Sequence, residues 1–149
     1  MEERAVRIEA AAAQTGLTKR TIRYWEELGL LPPAARTEAG YRLYSAEDIA
    51  RLERIRDLKR SVGLALGDIQ VLLEAEAARA DLRQRYRASS ELAERQRTLA
   101  ESIGVVERQL RLITSKREAL AQLQVQYEDS LARLRQLQQQ LTEEAATVS

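Results

Sequence analysis

The chain of 149 residues has no cysteine, no histidine and no phenylalanine. The first absence excludes disulfides, thiolate metal sites and thiol redox chemistry. The second removes the imidazole that Ser-His and Cys-His catalysis requires. With no phosphate-cradling loop and no paired nucleophile and base, an enzyme is not expected, and neither is a metal or other cofactor. No stretch approaches the roughly 20 apolar residues that span a bilayer, so no membrane partner is expected and a cytoplasmic location is. Proline occurs only as Pro32–Pro33, and glycine only six times. Net charge is +1, which by itself names no partner.

What is present is unevenly placed. Four of the six aromatic residues, Tyr24, Trp25, Tyr41 and Tyr44, fall in a short N-terminal stretch. From Arg4 to Arg60 there are 12 Lys/Arg against 8 Asp/Glu, a local excess of 4 positive charges. That is a modest electrostatic footprint for nucleic acid.

Ile8 to Gln14 reads as a short first helix, Thr15-Gly16-Leu17 as a turn, and Thr18 as the N-cap of a second helix through Leu28. Helix, three-residue turn, helix is the helix-turn-helix pattern. The proline pair turns the chain. Ala34 to Tyr44 has hairpin character, with Thr37-Glu38-Ala39-Gly40 as its turn. Ser45, with Asp48 three residues on, opens a third helix with apolar Ile49, Leu52, Ile55 and Leu58. Gly63 closes it. A short fourth helix follows to about Glu76.

Beyond Ala77 the composition shifts to Ala, Arg, Gln, Glu and Leu. The positions 92, 96, 99, 103, 106, 110, 113, 117, 120, 124, 127, 131, 134, 138, 141, 145 and 148 alternate by four and three without a break. Thirteen of these seventeen are apolar or alanine, the exceptions being Gln96, Arg117, Gln124 and Gln138. This is a heptad seam, so residues 79–145 read as a coiled coil. The expected fold is mainly α: a winged helix-turn-helix domain at 4–77 with a small β-hairpin wing, then a long coiled-coil helix. The expected dimer interface is Leu92, Leu99, Ile103, Val106, Leu110 and Ile113.

The order and spacing of Thr21-Ile22-Arg23-Tyr24, Glu26-Glu27-Leu28-Gly29-Leu30-Leu31-Pro32, Gly40-Tyr41-Arg42-Leu43-Tyr44-Ser45, and Asp48 with Arg51-Leu52 resemble the MerR family of bacterial transcription regulators. The resemblance covers Ile8 to Leu73, about half the chain. Trp25 stands where tyrosine is commoner. Ala35 stands where a wing arginine is frequent, leaving that role to Arg36. Ala65 replaces an N-cap serine, at a cost of about 1 kcal/mol to the start of the fourth helix.

The resemblance implies a homodimer that binds a pseudo-palindromic site in double-stranded promoter DNA. It implies that the dimer bends and untwists the spacer for RNA polymerase, a deformation of several kcal/mol. The second helix would enter the major groove with Thr18, Lys19, Arg20, Thr21, Arg23, Tyr24 and Trp25. Arginine forks suit guanine edges or phosphate oxygens, and Thr18 and Thr21 suit a nearby phosphate. Trp25 fits the core equally well. In the wing, Arg36 and Arg42 would reach the DNA backbone with Tyr41 bracing Arg42, while Tyr41 and Tyr44 also suit cross-strand packing. Lys59 and Arg60 resemble a second wing that touches phosphate, or complement a helix dipole.

A helix from Arg79 to Ala145 would be about 100 Å long. Full antiparallel overlap would hold the two DNA-binding domains that far apart, against about 70 Å for two turns of DNA. On this reading the dimer forms through residues 79–113, crossing near 95–100. The rest overshoots or folds back, with the unbroken heptad phase favouring a continuous helix. Residues 114–149 are then expected to be dispensable for DNA binding but not for regulation. The tail also offers a surface for an effector, a small molecule lined by Tyr86 or a protein on the coil, with Tyr127 packing in the seam. A coiled-coil adaptor whose N-terminal domain binds protein is the competing reading.

Overall fold

The computed structural model describes residues 5–33 and 35–148. Helix α1 spans Ile8–Thr15, α2 Lys19–Glu27, α3 Ala46–Asp57, α4 Leu66–Ala88 and α5 Leu92–Val148, with strands β1 Ala35–Arg36 and β2 Arg42–Leu43. Ala34, expected to begin the hairpin, lies outside the described residues, as does Arg4 at the expected domain start. Contacts divide the chain into two compact units, Met1–Ala77 and Ala78–Ser149.

In the first unit, local chemistry places each element. Gly16 ends α1 in the left-handed region (φ 72°), and its N–H donates to the Ala12 carbonyl. The Thr18 hydroxyl accepts the Thr21 N–H at 3.0 Å and so caps α2. At the other end Gly29 sits at φ 79°. Its N–H reaches the Glu26 carbonyl and the Leu30 N–H the Trp25 carbonyl, both at 3.0 Å. This pair of bonds is a Schellman closure, which requires the left-handed residue that glycine supplies at least cost. Leu30, the next residue, is thereby pinned in the core.

The hairpin pairs Ala35 with Leu43 and Arg36 with Arg42. Tyr44 extends it by an antiparallel bridge to Val6. Ser45 and Asp48 form a reciprocal capping box at the start of α3. The helix then continues into one π-type turn, Leu58–Val62, closed by Gly63 in the left-handed region. Ile22, Trp25, Leu30, Leu52, Ile55, Ile69 and Tyr44 fill the core, each 3% exposed or less.

Two expectations are corrected in the second half. The fourth helix does not stop near Glu76 but runs to Ala88, because nothing between Ala77 and Ala88 breaks a helix. A single helix over 79–145 does not form either. Ser89-Ser90-Glu91 interrupts it, and the Ser89 hydroxyl accepts the Glu91 N–H at 3.2 Å, a local bond that competes with the helical one. α5 then runs unbroken to Val148.

Within the second unit, the end of α4 runs back along the start of α5. Leu82, Thr98 and Val105 are buried. Arg85 pairs with Glu94 at 3.3 Å and Glu101 at 3.8 Å, and Arg95 stacks on the Tyr86 ring. Tyr86, a candidate effector contact, is thus occupied by a side chain of its own unit.

Candidate nucleic-acid interface

Helix α2 has two faces. Ile22 and Trp25, three residues apart, point into the core. Lys19, Arg20, Arg23, Tyr24 and Glu27 lie on the exposed side, with Thr21 at its edge. Trp25 is only 3% exposed, so the expectation that it faces DNA is corrected: its indole completes the core. The spacing from Ile22 is the signal that decides it. Thr18 and Thr21 share a hydroxyl–hydroxyl bond of 2.8 Å at the helix start. Lys19 lies 3.9 Å from Glu9, an exposed pair worth little. Neither Arg20 nor Arg23 makes a side-chain ion pair or hydrogen bond among the described residues, so both guanidinium forks are free.

The wing is fastened to this helix by a residue that composition did not single out. Glu26 sits at the inner edge of α2, its side chain 11% exposed. One carboxylate oxygen accepts from the Arg42 guanidinium and the other from the Tyr44 hydroxyl. Burial, then the hydrogen bond to Glu26 and its negative charge, push the Tyr44 phenol up to about 12. The hydroxyl therefore stays protonated and donating across the physiological range. Arg42 faces inward to this carboxylate instead of standing free, although its side chain remains 37% exposed. Glu26 thus fixes the angle between recognition helix and wing.

The two elements share an open cleft of about 350 Å³ whose lining includes Arg7, Arg23, Tyr41, Arg42 and Tyr44. Tyr41 does not brace Arg42 there; its exposed ring is covered by the Arg7 guanidinium at 3.8 Å. Arg36 donates to the Gly40 carbonyl at 2.9 Å across the hairpin turn and remains exposed. Lys59 and Arg60 are exposed on the π-type turn after α3. Among the described residues, no side-chain hydrogen bond or ion pair joins them to the α2–wing cluster. Arg56 and Arg51 donate to the Thr15 and Leu30 carbonyls, tying α3 to the ends of α1 and α2.

The arrangement offers cations and short hydroxyls on a convex helix with a flanking wing, the geometry of groove and phosphate contact. Among the described residues, no group of three or more metal-ligating side chains is assembled, and no helix is long and apolar enough to cross a membrane.

Residues 6–76 match the family described as MerR HTH family regulatory protein. The HTH-type transcriptional regulator YfmP of Bacillus subtilis is 37% identical over 111 residues, covering 74% of this chain and 79% of that one. The mercuric resistance operon regulatory protein of Bacillus cereus is 45% identical over 67 residues, 45% of this chain and 50% of its own. Among solved structures, a MerR family transcriptional regulator from Listeria monocytogenes aligns with a TM-score of 0.50 at 26% identity, covering 97% of this chain and 99% of that one.

Proposed function

The chain belongs to the MerR helix-turn-helix family of regulatory proteins, and from that premise we propose that it works as a homodimer on pseudo-palindromic promoter DNA. It is a DNA-binding transcription regulator. The proposal extends this to roles for its parts. Residues 4–77 bind DNA and residues 79–145 dimerise. Arg20 and Arg23 read bases or phosphates from α2, with Thr18, Lys19, Thr21 and Tyr24 alongside. Arg36, Tyr41 and Arg42 grip the flanking backbone, and Lys59 and Arg60 meet phosphate further out. The dimer bends and untwists the promoter spacer for RNA polymerase, in the cytoplasm, without enzymatic activity or a resident cofactor. An effector, small molecule or protein, acts through the helical unit.

The single observation that supports this most is the exposed face of α2. It carries two unpaired arginines beside a wing that Glu26 holds at a set angle, an arrangement a protein-binding adaptor does not require. Genome-wide footprinting of the bound protein tests it. Protected sites with two-fold related halves are expected, followed by a steep salt dependence of binding to the recovered fragment. No protected site, together with salt-independent binding, would leave the adaptor reading in its place.

A further inference from the structure

Glu27 is the last residue of α2, and its charge breaks a local rule. A carboxylate at a helix C-terminus faces the negative end of the helix dipole. The last turn of α2 carries no basic residue to offset it. Its neighbour Glu26 is compensated by Arg42 and Tyr44. Glu27 is exposed and, among the described residues, makes no side-chain hydrogen bond or ion pair. Arg23, one turn earlier, does not close on it; cation before anion is the weaker order for such a pair. A charge that opposes the dipole and stabilises nothing in the fold points to a role outside the fold.

The surroundings of Glu27 narrow that role. Arg20, Arg23, Tyr24 and Glu27 follow one another by three, one and three residues, a single stripe along the exposed side of α2. With Thr21 they line one open recess. Glu27 also lines the cleft between α2 and the wing, together with Arg23, Tyr41 and Arg42. Whatever the two free arginines touch, this carboxylate stands beside it. Toward phosphate it is repulsive. Its useful partner on DNA is therefore a group that donates.

Resting on the reading that α2 enters the major groove, we propose that Glu27 is a specificity residue that reads a cytosine in each half-site. Only two bases donate there, cytosine through its N4 amino group and adenine through N6. A carboxylate can only accept. Adenine sets the N7 acceptor next to its amino group, where a lone pair repels the charge, whereas cytosine sets a C5–H there. Guanine and thymine present acceptors to the carboxylate and are rejected outright. Glu27 lies one turn beyond Arg23, about 6 Å along the helix. The cytosine thus falls about two base steps from the group that Arg23 meets, at 3.4 Å per step.

The full-length protein is first allowed to select its sites from a random-sequence DNA library. C·G-to-T·A changes are then placed one at a time across one half-site. Fluorescence anisotropy at fixed salt measures wild type, Glu27→Gln and Arg23→Ala on each fragment. Wild type should lose about 5- to 150-fold at the cytosine that Glu27 reads. Glu27→Gln should lose the discrimination at that position alone, because an amide both donates and accepts, and should gain a preference for adenine there. Its melting temperature should match or exceed that of wild type, since an anion leaves the helix C-terminus. An equal change in affinity for every fragment would mean that the charge only repels phosphate, and would overturn the readout. An unchanged cytosine preference in Glu27→Gln, beside weakened binding in Arg23→Ala, would overturn it too and leave the docking of α2 intact. Wild-type binding by both variants on every fragment would remove the docking itself.

Discussion

Replacing Glu26 with alanine isolates what joins the wing to the recognition helix. The change strips the acceptor from Tyr44, whose hydroxyl is buried, and from Arg42, which is partly exposed and can turn to water. The arginine therefore loses little, since exposed pairs contribute a few tenths to 1 kcal/mol. The tyrosine loses more: a buried hydroxyl left without a partner costs about 1–3 kcal/mol. In a unit of under 80 residues each kcal/mol shifts the melting temperature by about 4–8 °C. The expected drop is therefore roughly 5–20 °C, read by calorimetry or circular dichroism. Tyr44→Phe removes the donor and its need together and should cost less, about 1 kcal/mol. In the double variant the two losses should not add, because one bond is removed once. The alkaline limb gives a second reading. The folded phenol is raised to about 12 from an ordinary value of 10.0. Its contribution is thus complete below pH 10 and disappears as pH rises through 12. That decline should be shallower in Glu26→Ala and gone in Tyr44→Phe. A melting temperature for Glu26→Ala within 1–2 °C of wild type would refute the clamp.

Arg23→Ala and Arg42→Ala should each weaken operator binding by about 5- to 150-fold, equivalent to 1–3 kcal/mol, with a flatter salt dependence where phosphate is the partner; fluorescence anisotropy on the footprinted fragment measures both. Leu110→Glu should give a monomer in light scattering, since it puts a carboxylate into an apolar layer. Gly29→Ala has room for a methyl group but forces a left-handed backbone on alanine, so a loss of about 1 kcal/mol should appear in chemical denaturation without loss of the fold.

The helix-turn-helix was legible because its punctuation is local. Thr18, Gly29 and the Ser45–Asp48 box each act within four residues of themselves, so the sequence carries the same information as the coordinates. Trp25 was ambiguous because an aromatic between Tyr24 and Glu26 suits either face of a short helix. The tertiary core decides, and Ile22 three residues earlier shares its direction. Glu26 was missed for the opposite reason. Its partners, Arg42 and Tyr44, are 16 and 18 residues away, and only the fold brings them to both oxygens of one carboxylate.

The tail shows how one short feature reverses a correct pattern. The heptad phase from Leu92 onward was readable, and α5 is continuous across it. Extending that phase backward through Arg79 was the error, because helix propensity alone does not reveal a three-residue break. Ser89 and Ser90 are serviceable inside a helix but equally able to bond their own backbone. Once the chain turns there, Arg85 meets Glu94 and Glu101, pairs that a straight helix would separate by nine and sixteen residues of rise.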